Sequence, residues 1–325
     1  PINAEPKTWY VDDSGGADFT KIEDAVYAAS PRDTIYVHNG IYHEHVVIPI
    51  NDLTLIGENK SDTIIDGDTM GSPIITMTDR INVKFMGFTV RNAGWIEWYG
   101  AGLRFANTKS CIISDNIFLN NRYGITPLSW GGSVGNIISD NTIKDGEFGI
   151  INFWDEPSYN NIIARNCISN ISGGIYFNYP HNIQIVGNTI SNMTGEVTYG
   201  IHFQMGGSNN TVVRNTVIGY CDYAIAIRHT DGNYVAENSL IGNFYGIDLG
   251  DSSCDNTVTQ NNVSSNGVGI SIFDNSNNNL INMNDISDSV PIDFYISDIG
   301  IWVESSHDNV IHNNNIANNG YGIYA

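Results

Sequence analysis

Positive charge is scarce in this sequence. Lys and Arg number 14 against 35 Asp and Glu, a formal net charge of −21 over 325 residues. Binding to nucleic-acid phosphates needs a basic face, so nucleic acid is excluded as a partner. Long apolar runs are missing too. No stretch of 18 apolar residues occurs, and no membrane-spanning helix is expected. No basic segment leads into an apolar one at the start, so a secretion signal is expected to be absent or already removed. The four cysteines (Cys111, Cys167, Cys221 and Cys254) form no CxxC pair. They read as small buried hydrophobes, since free Cys is among the most buried residue types. What is abundant instead is Asn, with 43 residues, beside 33 Gly. Both are poor helix formers, which excludes a mainly helical protein. Hydrophobic residues make up 41% and aromatic residues 11% of the chain, too many for a disordered one.

The Asn and Gly are periodic. A Gly-Ile-type step recurs at Gly102-Leu103, Gly124-Ile125, Gly149-Ile150, Gly174-Ile175, Gly200-Ile201, Ala224-Ile225, Gly246-Ile247, Gly269-Ile270, Gly300-Ile301 and Gly322-Ile323. The spacing is 22–26 residues with one interval of 31. An Asn-apolar-apolar-x-x-Asn-x-apolar pattern runs in phase, as in Asn210–Val217, Asn233–Leu240 and Asn256–Val263. Each repeat holds two or three short strands that cannot bury their apolar face alone; stacked repeats can, at ~4.8 Å per coil. Asn stacked on Asn would bond the coils above and below. Gly would supply a tight turn with φ > 0. This period indicates a parallel β-helix, since propeller blades need about 40 residues or more and a leucine-rich horseshoe needs more Leu.

The first third is less regular. Trp9–Val11 and Thr34–Val37 read as strands. Between them, Ile22, Ala25, Val26 and Ala29 have helical spacing, stopped by Pro31. An amphipathic helix there is the expected cap on an open β-helix end. The expected fold is therefore all-β, a right-handed parallel β-helix with an N-terminal capping α-helix. It forms one domain over 1–325, with cap and first coils over 1–67 and repeats over 68–325. Because the sequence stops within a strand, at Gly322-Ile323-Tyr324-Ala325, further domains of a longer polypeptide are expected.

The stretch DFTKIEDAVYAASPRDTIYVHNGIYHEHVVI, followed by DLTLIGENKSDTIIDG, resembles the opening of right-handed parallel β-helix proteins of the pectinesterase, pectate-lyase and NosD-like type. The Asn/Gly repeats are similar to those of the same superfamily, which hosts many carbohydrate-active enzymes. The acidic, Asn-rich character also resembles surface β-helix proteins of methanogenic archaea, including the disaggregatase that breaks up their polysaccharide matrix. The resemblance implies an extracellular or cell-surface location and a polysaccharide substrate. It carries no catalytic motif with it. The polygalacturonase N-T-D, D-D and G-H-G set, the pectinesterase L-W-R-P and the pectate-lyase W-x-D-H are all absent. One fold hosts many chemistries, so a site must be sought residue by residue.

Numbered from each repeat Gly as zero, offsets +2 and +4 should face away from the core, and the +5 column adds Trp154, Tyr179, His229, Asp251 and Asp274. Successive coils then present Tyr176 and Asn178, His202 and Gln204, Arg228 and His229, and Asp248 and Asp251. Trp302 and Glu304 continue the columns. Trp95, Trp98, Tyr99, Trp130 and Trp154 lie on long turns beside this face. An anionic sugar chain along the axis would meet Arg228 at its carboxylate, with Tyr176 or Trp154 against a ring face. Substrate-binding roles are thus expected for Tyr176, Asn178, Gln204, His229, Trp154, Trp130, Trp302 and Glu304.

Two chemistries suit the catalytic candidates Asp248, Asp251, His202 and Arg228. Hydrolysis needs two carboxyl groups flanking the bond, and Asp248 with Asp251 is the best pair, with Glu304 or Asp155-Glu156 in reserve. Elimination needs a base, His202 or Tyr176, with Arg228 quenching the uronate charge. A calcium-assisted form would use Asp248 and Asp251 as ligands. Acidic groups outnumber bases here, which favours hydrolysis of a uronate-bearing heteropolysaccharide. A non-catalytic glycan-binding module on the same face stays open. The alternate His43-Glu44-His45 reads as an ordinary strand rather than a zinc site. Asp285, Asp288, Asp293 and Asp298 read as a surface loop walling the cleft. A NosD-like role in metal-centre assembly is disfavoured by the lack of clustered Cys, Met and His.

Overall fold

The computed structural model describes residues 5–96, 99–126, 132–152, 157–291 and 298–325. Its strands are short and parallel, and they wind about 12 turns of β-solenoid. The chain divides into two compact units, one ending at Ile150 and one running from Ile151 to Ala325.

In the first unit, Thr8–Val11 pairs with Thr34–Val37 and that strand with Thr54–Gly57. A second sheet starts with Gly40–Tyr42 on Thr63–Asp66, and a third with Val46–Val47 on Ile75–Thr78. The expected cap is present as the helix Ile22–Ala28, with Ile22, Ala25 and Val26 buried against the first strands. Its first-turn N–H groups on Ile22 and Glu23 donate to the Glu44 carboxylate, each at 2.9 Å. A carboxylate at that end satisfies orphan donors and faces the positive end of the dipole. His43-Glu44-His45 is therefore a connection between strands rather than a strand, and its acid serves the helix.

The second unit holds seven coils and positions the candidate site. Its third sheet runs through Gly173–Asn178, Tyr199–Gln204, Tyr223–Arg228, Tyr245–Gly250, Val268–Ile272, Ile299–Val303 and Tyr321–Tyr324. Register keeps like residues in columns: Ile201, Ile225, Ile247 and Ile270 align and are fully buried. Side chains alternate, so Phe203, Ile227, Leu249 and Ile272 join the same core.

Asn builds the corners as the sequence suggests. Asn215 Oδ1 accepts from the backbone N–H and side-chain amide of Asn188 at 2.9 and 3.0 Å. Asn238 does the same for Asn215, and Asn261 for Asn238. The residue before each ladder Asn is left-handed, including Arg214 (φ 55°), Glu237 (φ 57°), Gln260 (φ 58°) and Met283 (φ 54°). Such residues lack the freedom of Gly, so the turn is held by the ladder rather than by local preference.

The repeat glycines have a different task from the expected one. Gly174, Gly200, Gly246 and Gly269 are not left-handed. A methyl group at Gly200 would stand 2.5 Å from the carbonyl oxygen of Ala224, and one at Gly246 2.5 Å from that of Gly269. Close approach of the next coil, not turn geometry, excludes a side chain.

Candidate functional site

The outer face of the third sheet in the second unit is roofed by aromatic rings. Tyr199, Tyr223 and Tyr245 each precede the repeat Gly or Ala, and they stack at 5.4 and 5.0 Å with interplanar angles of 11° and 8°. Phe273 meets Tyr245 edge-on at 6.4 Å and Trp302 edge-on at 4.7 Å. This tyrosine column was not among the sequence-derived candidates. The signal was available in the recurring Tyr-Gly and Tyr-Ala steps, one residue before the counted position.

The roof changes what lies beneath it. His202 points away from the core, as alternation requires, but is buried at 2% exposure. It stacks on Tyr199 at 4.3 Å and meets Tyr176 edge-on at 4.8 Å. Neither ring nitrogen has a hydrogen-bond partner among the described residues. Burial pushes its pKa down to about 3, with the Arg228 charge adding to the effect. A neutral imidazole enclosed this way is packing, not a reachable base. Tyr176 donates its hydroxyl to Gln204 Oε1 at 2.5 Å, and burial pushes its pKa up to about 12.

The depressed His202 pKa makes a stability prediction. The folded value of about 3 lies below the ordinary histidine value of 6.5, so the unfolded chain takes up this proton first. Stability from His202 is full above about pH 6.5 and falls as pH drops towards 3, by at most roughly 5 kcal/mol. His202→Phe, which keeps a ring between Tyr176 and Tyr199, is expected to flatten the decline between pH 6.5 and 4 in urea midpoints. An unchanged slope would mean that His202 is hydrated in the native state.

Asp248 departs from its expected role in the same way. It is 2% exposed rather than open to solvent. Its Oδ2 accepts from Arg228 Nε at 3.0 Å and Nη2 at 2.9 Å, and its Oδ1 accepts from the Ser271 hydroxyl at 2.8 Å. Burial raises the Asp248 pKa, while Arg228 and Ser271 pull it back. Burial also works against the Arg228 charge, but Asp248 and Tyr223 more than offset it, and the guanidinium stays protonated. It lies over the Tyr223 ring at 4.5 Å. Asp248 therefore holds Arg228 in place and is not poised as one of a reacting carboxyl pair. A calcium ion shared by Asp248 and Asp251 would have to displace that guanidinium.

Beside this pair is a cleft of about 230 Å³, lined by Tyr223, Arg228, Tyr245, Asp248, Gly250, Asp251, Phe273 and Asp274. Asp251 and Asp274 occupy the same corner on successive coils, both left-handed at φ 53° and 54°. The pairing of Leu249 with Ile272 sets that correspondence. Asp251 is half-buried and Asp274 exposed, so they are the accessible carboxylates of this cleft. Gln204 and His229 line a second, wider cleft of about 510 Å³ with Tyr179, Asp231 and Ser252. Asn178 is buried, Trp302 is 7% exposed under the aromatic roof, and Glu304 is exposed; the lining of neither cleft includes them. Trp130, Trp154, Asp155, Glu156, Trp98 and Asp293 lie outside the described residues.

Fold and site together define a parallel β-helix protein with an aromatic cleft edged by carboxylates. The chain belongs to the family described as periplasmic copper-binding protein (NosD), which matches residues 26–220, 135–294 and 216–325. No curated protein matches it in sequence. Solved structures share the fold. The catalytic unit of a GH87 α-1,3-glucanase from Streptomyces thermodiastaticus aligns with TM-score 0.66 and 13% identity, covering 100% of this chain and 70% of that one. The A-module of mannuronan C-5 epimerase AlgE6 from Azotobacter vinelandii aligns with TM-score 0.62 and 13% identity, covering 93% and 92%. PfbA, a surface adhesin of Streptococcus pneumoniae, aligns with TM-score 0.63 and 14% identity, covering 90% and 86%. At these identities the likeness is one of fold. No helix among the described residues is long and apolar enough to cross a membrane.

The family description raises copper. Among the described residues, the group spaced to hold a metal is His43, Asp66 and Asp68, in the first unit. It offers a single imidazole, and Asp66 Oδ2 already accepts from Arg91 Nε at 2.7 Å. Copper favours imidazole, thiolate and thioether donors. The residues at this group do not fit it.

Proposed function

We propose that this chain acts on polysaccharide outside the cytoplasm, holding a glycan over the second unit's aromatic cleft and hydrolysing it between Asp251 and Asp274. The observation that carries the reading is the placement of two accessible carboxylates on successive coils at the edge of a tyrosine and phenylalanine shelf. Aromatic faces suit the apolar faces of sugar rings. Neighbouring coils are ~4.8 Å apart at the backbone, which lets both carboxyl groups reach one glycosidic bond, as hydrolysis requires. Asp248 and Ser271 position Arg228 beside them. The glucanase and the mannuronan epimerase among the structural neighbours support a glycan ligand, and the periplasmic family description supports the location. Action on a cell-surface matrix, as in a disaggregatase, is the finer form of the same proposal.

Elimination is the weaker reading. Its bases would be His202, enclosed and neutral, or Tyr176, held protonated and bonded to Gln204. The test is substitution of the carboxylates. Asp251→Asn and Asp274→Asn are each expected to lower glycan cleavage at least ~100-fold while leaving the melting temperature unchanged. Full activity in either variant would remove that residue from the assignment. Saturable glycan binding by the unaltered protein with no cleavage would favour a binding module.

A further inference from the structure

We propose that the sugar unit seated in the 230 Å³ cleft is uncharged, and that Gly250 is the residue that admits it. The inference rests on the glycan reading and narrows its substrate class. It begins with a missing side chain. At the strand position of Gly250, other coils of the second unit carry Asn178, Gln204, Arg228, Phe273 and Glu304. Gly250 is not left-handed, so its backbone does not call for glycine. Nor does a neighbouring coil press on it. An added methyl would stand 3.5 Å from Asp248 Oδ2 and 3.8 Å from Arg228 Cγ and Nε, all ordinary contacts. Gly174, Gly200, Gly246 and Gly269, by contrast, would collide with a backbone carbonyl of the next coil. What the absent side chain leaves is space, bounded by Arg228 on one coil and Phe273 on the next.

Charge decides what fits that space. Arg228 is the one cation among the lining residues, and its Nε and Nη2 are both bonded to Asp248. The pair is neutral as a unit. A hydrolytic pair is one carboxylate and one carboxylic acid, so Asp251 and Asp274 leave the cleft with an uncompensated negative charge. A uronate carboxylate would meet like charge and bring acceptors to acceptors. The hydroxyls of a neutral sugar bring donors to those carboxylates, and its ring faces meet Tyr223, Tyr245 or Phe273. Pockets for drug-sized ligands run to about 300–1,000 Å³, so this smaller cleft suits on the order of one ring. The uronate expected from the sequence assumed a free Arg228, and the geometry assigns that charge to Asp248.

The probes are gluco-, galacto- and manno-hexasaccharides, each paired with its C6-oxidised uronate counterpart. Binding to the whole chain is read by calorimetry at 0.15 M and 1 M salt. Screening to ~3 Å at 1 M removes the long-range repulsion from the acidic surface. The expected result is that a neutral member binds at least 10-fold more tightly than its uronate partner at both salt concentrations. Gly250→Val should weaken that binding at least 10-fold with an unchanged melting temperature. Gly250→Ala is the milder variant, should valine disturb folding, and should weaken it by a smaller factor. Equal or tighter uronate binding at 1 M salt would overturn this inference and leave the glycan reading standing. Neutral binding untouched by both Gly250 variants would overturn the role of Gly250. Failure of every probe to bind would overturn the glycan reading and this inference with it.

Discussion

Asn238→Leu is expected to destabilise the protein by on the order of 4 kcal/mol, because it cuts a ladder rather than a contact. The Asn238 side chain sits between two coils. Its Oδ1 accepts from the backbone N–H and side-chain amide of Asn215 at 2.9 and 3.0 Å, and its amide donates to Val212 O at 2.9 Å. Leucine has similar bulk and none of these groups. The Asn215 backbone N–H and the Val212 carbonyl lose their partners inside the solenoid, and each stranded buried group costs about 1–3 kcal/mol. The Asn215 amide is less affected, since it also donates to the carbonyls of Ile185 and Val213. In a solenoid each coil is stabilised by its neighbours, so a broken rung also weakens coupling along the stack. Urea unfolding should show a lower midpoint and a shallower slope than the unaltered protein. The exposed Asn262→Ser should stay within ±0.5 kcal/mol. A loss below 1 kcal/mol for Asn238→Leu would mean that water replaces the ladder at little cost.

Arg228→Met should cost about 3–5 kcal/mol at pH 7, since it leaves the Asp248 carboxylate buried without its counter-charge. Ser271 remains as a single donor to Oδ1. Removing both charges in Arg228→Met/Asp248→Leu should recover most of the loss, because apolar replacement of a whole buried pair is often neutral. The single variant also carries a pH signature. With Arg228 gone, burial holds the folded Asp248 pKa above its unfolded value, so the native state binds the proton more tightly. The penalty is then absent in acid and grows as pH rises from about 4 through the folded pKa. A single variant as stable as the double at pH 7 would show that Asp248 is hydrated in the native protein.

Much of the fold was legible because a solenoid repeats its physics. The Gly-Ile step marked the third sheet, and the paired Asn marked the corners. Helical spacing of Ile22, Ala25 and Val26 marked the cap. Two local readings went astray for one reason: a single repeat does not reveal what the next coil places against it. Glycine at Gly200 and Gly246 answers a carbonyl on the following coil, not its own φ. Alternation correctly turned His202 and Asp248 away from the core, but outward is not the same as exposed. The tyrosines at 199, 223 and 245, one residue before the counted step, close over that face. The Arg228–Asp248 pair is diagonal, since Arg228 aligns with Gly250 and Asp248 with Ala226. Column counting aligns residues straight across and does not predict a diagonal reach. Asp251 was legible as an acid of the site. Its partner Asp274 stands in the same +5 column one coil on, whereas Asp248 is nearer in sequence but buried.

The proposed hydrolysis takes place at the carboxylate-edged cleft. Its most direct test is incubation of the protein with matrix polysaccharide from methanogens, chondroitin and pectate, and with the neutral gluco-, galacto- and manno-hexasaccharides. New reducing ends and absorbance at 232 nm are followed together, with and without EDTA. New reducing ends on at least one substrate, no rise at 232 nm and no effect of EDTA are expected. A rise in both signals would show elimination and contradict the assignment of Asp251 and Asp274 as the reacting pair.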